Sequence, residues 1–270
     1  MEHAGRPGGL PFVGVGWYRT EFDVPQFQAG KRATILFDGA MSHANVYING
    51  QKVGYWPYGY NSFHFDITKY LKPGEKNTLA VRLENLPESS RWYPGAGLYR
   101  NVHLIVTEDA YIPVWGTYIT TPSVNEKFAK VNVLTKVVLP EGADPAKYSV
   151  ETSVWNPNKQ KLTAVRTSLA QMKYNNDQAE QEFVIQDPSL WSPEMPALYS
   201  AETRLYEGDK LKDVYTTPFG IRSIEIIPDK GFFLNGKRTV FKGVCNHHDL
   251  GPLGAAVNDA AIRRQIRILK

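Results

Sequence analysis

The chain has 270 residues, 42% hydrophobic and 21% charged, and its 31 basic and 27 acidic side chains leave a net charge of +4. That length suits two or three domains rather than one small sandwich. Scattered basic residues without a run argue against a phosphate-tracking nucleic-acid surface, one cysteine (Cys245) excludes an internal disulfide, and no apolar run reaches the roughly 20 residues of a membrane helix.

From the N-terminus, Met1-Glu2-His3-Ala4-Gly5 opens without the apolar segment of a secretion signal. The dominant hydrophobic period is then two, the mark of half-buried strands. Val46 to Val53 reads as a hairpin whose turn is Asn49-Gly50, because both residues accept the positive φ of a tight turn. Tyr55-Trp56-Pro57-Tyr58-Gly59-Tyr60 is an aromatic loop that suits either sugar stacking or packing at a domain surface. Leu79, Val81 and Leu83, then Val102, Leu104 and Val106, alternate with mostly polar neighbours. Pro94-Gly95-Ala96-Gly97 is glycine-rich but joins strand to strand, so it is not a phosphate cradle, and no cofactor is implied.

A composition shift between Glu108 and Trp115 marks a boundary. Beyond it, strand patterns at 131–134, 148–155, 163–169, 182–185 and 198–205 fit an immunoglobulin-like sandwich. A third piece begins near Ile226 and repeats the Asn-Gly device at Asn235-Gly236. Val240 to Val244 reads as a buried strand leading to His247-His248-Asp249, with Cys245 in its core pattern. Adjacent histidines on an extended chain do not converge on one ion, which argues against a metal. The chain ends in a helix: Asn258 is a good N-cap, Asp259 suits the first turn, and Ile262, Ile266 and Leu269 form an apolar stripe that needs something to pack on. One strand and one helix open an α/β domain without completing it.

These segments, in this order, resemble the N-terminal part of glycoside hydrolase family two, the family of β-galactosidases, β-glucuronidases and β-mannosidases. The resemblance rests on Gly16-Trp17-Tyr18-Arg19, Val46 to Gly54, Phe65-Asp66-Ile67-Thr68, Arg91 to Val102, Leu190-Trp191-Ser192-Pro193-Glu194, Phe219-Gly220-Ile221-Arg222 and Gly231 to Lys237, leading into Gly243 to Asp249. The His-His-Asp run is most similar to bacterial β-galactosidase-type members. The resemblance implies a mostly-β chain in three parts: a jelly-roll sugar-binding domain (1–110), an immunoglobulin-like sandwich (111–224) and the first strand and helix of an incomplete (β/α)₈ barrel (225–270).

It also implies that both catalytic glutamates lie on later barrel strands, so this chain holds no catalytic residue and is expected to be inactive alone. His247 and Asp249 are implied as substrate-binding residues. So is Asn101, where many members carry aspartate; the competing reading is a residue that only caps a strand. Arg100 and Trp92 are expected to be structural, with Arg100 buried at a seam. The implied partners are a β-galactoside-type glycan and the chain's own barrel, with no nucleic acid or membrane and a homo-oligomer as an option; the implied setting is the periplasm or exterior of a bacterium. The other reading is a stand-alone carbohydrate-binding module using Trp56, Tyr58 and Tyr60.

Overall fold

A computed structural model describes residues 14–26, 30–86, 96–171, 177–245, 250 and 254–270. The chain is mostly β and divides into two compact units, Met1–Val106 with Val244–Lys270, and Thr107–Gly243.

The first unit is built from β1 (Gly14–Asp23), β2 (Arg32–Phe37), β3 (Ala44–Ile48), β4 (Gln51–Trp56), β5 (Phe63–Asp66), β6 (Lys76–Asn85) and β7 (Val102–Thr107). They form two sheets, in the orders β1-β6-β3-β4 and β5-β2-β7. Alternation along β6 and β3 sends Leu79, Val81, Leu83, Val46 and Ile48 inward, where they meet Ile35, Phe37 and Phe63 of the other sheet. The rings of Phe37 and Phe63 stack at 4.8 Å, and Trp56 stacks on Phe63 at 5.5 Å.

Asn49 (φ 50°) and Gly50 (φ 80°) make the expected left-handed turn between β3 and β4. The Asn49 side chain also crosslinks: its amide donates to Tyr70 O (2.9 Å) and Asn77 Oδ1 (2.8 Å), and its Oδ1 accepts from Thr78 N. Asn77, fully buried, accepts from Lys72 N and donates to Lys72 O and Glu75 O. A buried amide with every group satisfied fixes one loop geometry, because each alternative strands a polar atom. Asn77→Ala should therefore destabilise the first unit by about 2 kcal/mol or more, measured by urea unfolding.

The second unit contains β8 (Thr117–Val124), β9 (Phe128–Lys136), β10 (Tyr148–Trp155), β11 (Lys161–Ser168), β12 (Gln178–Gln186), β13 (Tyr199–Glu207) and β14 (Lys210–Phe219), in sheets ordered β11-β10-β13-β14 and β12-β9-β8. Its core lies between them, around Val131, Val133, Val154, Phe183, Ile185, Tyr199 and Ala201, with a second cluster around Val150, Leu169 and Leu205. β14 grips the segment that follows β7. Lys212, whose side chain is 7% exposed, reaches Asp109 at 2.7 Å and Glu207 at 3.6 Å. Asp213 accepts from Ile112 N, and the Tyr215 hydroxyl accepts from Trp115 N.

A meander of β15 (Ile224–Ile227), β16 (Gly231–Leu234) and β17 (Lys237–Arg238) follows. The second Asn-Gly turn is present, with Asn235 at φ 49° and Gly236 at φ 75°. Asn235 also accepts from Ser223 N and donates to Trp191 O. Trp191 in turn covers Gly220, where a Cβ would lie 3.0 Å from its ring, and sits under the Arg222 guanidinium. Three of the sequence motifs thus meet at one point.

α1 (Asp259–Leu269) is capped as expected, with Asn258 Oδ1 accepting from Ala261 N at 3.1 Å. None of its residues is buried, and Ile266 and Leu269 are both exposed. No helix among the described residues is long and apolar enough to cross a membrane. The expected strand at Val240 to Val244 is not formed, and Cys245 is exposed rather than packed in a core. A strand exists only through its neighbours, and no described strand pairs with this segment, so Val240, Phe241 and Val244 remain open to solvent.

The Lys212 cluster makes stability depend on pH. The Lys212 hydrogen bond holds the Asp109 carboxyl below its ordinary range, and the same bond raises the Lys212 ammonium. The Asp109 contribution is present above the ordinary carboxylate range and is lost as pH falls through the lowered pKa. The Lys212 contribution is present below the ordinary lysine range and is lost as pH rises through the raised pKa. Lys212→Met should lower Tm most at neutral pH, with the difference from wild type narrowing at both extremes in a thermal-melt series.

Candidate functional site

The site is built where β2 ends and β7 begins. β2 leads into Asp38-Gly39, and β7 is entered through Gly97 to Asn101. Main-chain bonds lock the two segments together: Met41 N to Gly97 O at 3.0 Å, Gly97 N to Met41 O at 3.1 Å, and Asp38 N to Asn101 O at 3.0 Å. Two glycines make this possible. At Gly39 a Cβ would lie 2.6 Å from the Tyr99 hydroxyl and 2.9 Å from Arg100 Cδ. Gly97 has φ 98°, and a Cβ there would lie 2.0 Å from the Tyr18 hydroxyl.

Over this floor the Tyr99 hydroxyl donates to Gly59 O at 2.7 Å. Burial raises its pKa, with the neighbouring Arg100 guanidinium opposing, so it stays a neutral donor. Asn101 is exposed at the mouth of β7. His103, two residues on and on the same side of the strand, brings Nε2 to 3.0 Å from Asp38 Oδ2. The segment ahead of α1 reaches the same rim, since Val257 N donates to Tyr99 O at 2.8 Å. Chemically this is a polar ledge: an exposed amide, a carboxylate–imidazole pair and a neutral phenol, all able to exchange hydrogen bonds with hydroxyls. Among the described residues no three His, Cys, Asp or Glu side chains cluster in a way that could hold a metal.

Of the residues singled out from sequence, Asn101 lies on this ledge. His247 and Asp249 lie outside the described residues, as do His248 and Trp92. Arg100 is exposed rather than buried, its guanidinium turned to the Tyr99 hydroxyl. Trp56 is not a stacking platform. It is half-buried against the core, with Nε1 donating to Asn61 Oδ1 at 3.1 Å, because strand alternation turns it inward. Tyr58 and Tyr60 are exposed, with ring centroids 5.6 Å apart. Sequence reasoning missed Asp38, His103 and Tyr99. The first two are 65 residues apart, and no local spacing signals their meeting; Asp-Gly after an alternating strand was the one available cue.

Two consecutive antiparallel sandwiches, the first with a ledge of hydrogen-bonding groups at a strand mouth, define a modular β-sandwich chain. Comparison with known proteins gives the family. The model described as glycosyl hydrolases family 2, sugar binding domain, matches residues 10–108, and that described as glycosyl hydrolases family 2 matches residues 111–222. The chain belongs to glycosyl hydrolases family 2. It is 43% identical to the beta-galactosidase BoGH2A of Bacteroides ovatus, over 99% of this chain and 31% of that protein. It is 37% identical to a putative beta-glucuronidase of Formosa agariphila, over 98% of this chain and 25% of that protein. A solved family 2 member from Bacteroides cellulosilyticus superposes with a TM-score of 0.87 at 35% identity, covering 95% of this chain and 33% of that one. The chain thus spans a quarter to a third of the length of these relatives.

Gly97→Ala should cost about 1–3 kcal/mol by overpacking against Tyr18, with φ strain added. The loss should appear in urea unfolding together with faster amide exchange at Met41 and at position 97.

Proposed function

We propose that this chain is the sugar-binding and bracing part of a retaining β-glycosidase acting on β-galactosides, organised as 1–110, 111–224 and 225–270. In this reading Asn101, His247 and Asp249 form one wall of the sugar pocket. The Asn101 amide donates to and accepts from ring hydroxyls, Asp249 accepts charge-assisted bonds that orient the ring, and His247 supports charge changes as the bond breaks. Retaining hydrolysis needs two carboxyl groups about 5–5.5 Å apart, one as acid/base and one as nucleophile. Those belong to later barrel strands, so the chain alone is inactive.

The observation that carries this reading is the Val257–Tyr99 hydrogen bond, which ties the segment entering α1 to the rim that presents Asn101. The exposed apolar side chains Val244, Ile266, Ile268 and Leu269 support it, as surfaces for barrel elements to cover. The 43% identical relative is named a β-galactosidase, which favours galactosides.

Purified chain should not hydrolyse an aryl β-galactoside above buffer; turnover that disappears when an acid within the chain is mutated would refute the proposal. In the protein that includes the barrel, Asn101→Ala should lower kcat/KM for the galactoside about tenfold, the worth of one or two hydrogen bonds. An unchanged kcat/KM would remove Asn101 from the wall. Saturable galactoside binding by the isolated chain would favour the stand-alone binding module.

A further inference from the structure

The outer face of the β1-β6-β3-β4 sheet carries exposed aromatic and charged side chains. Register places Trp17, Arg82, Asn45 and Tyr55 in one row across the four strands, and Arg19, Ala80, Tyr47 and Lys52 in the next. Their chain neighbours Val81 and Val46 are fully buried, so both rows face outward. Trp17, 60% exposed, approaches Tyr47 with ring centroids 5.6 Å apart. They stand on strands separated by β6, so the rings meet above β6, where Ala80 is small enough to leave room. At the far edge Tyr55 is exposed, its hydroxyl fixed by His43 Nδ1 at 2.6 Å.

This face carries ion-paired charges, an exposed carboxylate (Asp23, opposite Lys76 at the end of β1) and two further cations. Arg82 is paired with Glu84, and Glu21 with Lys76. Arg19 and Lys52 are exposed, and among the described residues neither has a carboxylate within ion-pair distance. They close opposite ends of the row that holds Ala80 and Tyr47, with Trp17 two residues from Arg19 on the same strand. With strands about 4.8 Å apart, the two cations stand on strands about 14 Å apart.

We propose that this face binds an acidic polysaccharide, a chain of pyranose rings bearing carboxylates. A flat ring face stacks on Trp17 and Tyr47, and carboxylates on separate sugar units reach Arg19 and Lys52. Charge complementarity selects this occupant. A neutral glycan leaves both cations unused, and two cations are too few for a nucleic-acid track. A protein interface of standard size buries about 800 Å² on each partner around an apolar centre, and this face offers a ring pair set among ion pairs. The assignment does not depend on the role of Asn101.

The test is affinity electrophoresis of the full chain in gels containing polygalacturonate or a neutral β-galactan, with size-exclusion chromatography alongside. Polygalacturonate should retard the chain, less so in added salt, and neutral galactan should not. Trp17→Ala and the double variant Arg19→Gln/Lys52→Gln should each weaken retardation about tenfold, the loss expected of a central contact. Tyr118→Ala, at a 66% exposed ring on β8, should leave it unchanged. The double variant changes only exposed side chains and keeps the test valid if Trp17→Ala misfolds. The proposal is overturned by no retardation, by equal retardation in neutral galactan, by retardation that survives the double variant, or by a dimer that Trp17→Ala converts to monomer.

Discussion

The main-chain hydrogen bonds that clamp Gly97 to Asn101 are the constraint on which the candidate site depends. Met41 bonds Gly97 in both directions, Asp38 holds Asn101, and Val257 holds Tyr99. Backbone bonds fix position without specifying side chains, so the ledge can present whichever polar group suits its ligand while its shape stays constant. The sequence requirement falls instead on Gly39 and Gly97, where a Cβ would strike Tyr99 or Tyr18. Functional groups on a segment gripped by a rigid sandwich are held in place more tightly than groups on a free loop.

The same economy appears at the two Asn-Gly turns. In each, asparagine supplies the left-handed backbone and its side chain then ties the hairpin to a distant segment. Asn49 reaches Tyr70 and Asn77, and Asn235 reaches Ser223 and Trp191. These were legible in part. The turn follows from local chemistry, as does the Asn258 cap, because positive φ and a first-turn donor concern residues close in sequence. The crosslinks were not legible, since nothing near Asn49 names Asn77.

The period-two patterns of β3, β6 and β9 survive intact because one face of each meets a core. At Val240 to Val244 the apolar run predicts a strand that the structure does not form. Hydrophobic pattern records what a segment is built to bury, whereas strand structure requires a neighbour, and none is present among the described residues. The exposure of Phe241 and Cys245 follows from the same cause. The Asp38–His103 pair is made by topology, where β7 joins the free edge of β2, so no local pattern announces it.

In the proposed function Asn101 faces sugar together with residues of the barrel. The most direct test is a crystal structure of the barrel-containing protein with galactose bound. The Asn101 side-chain amide should lie within hydrogen-bond distance of a ring hydroxyl, with His247 and Asp249 on the same sugar. A galactose bound elsewhere, with Asn101 contacting only protein or solvent, would contradict it.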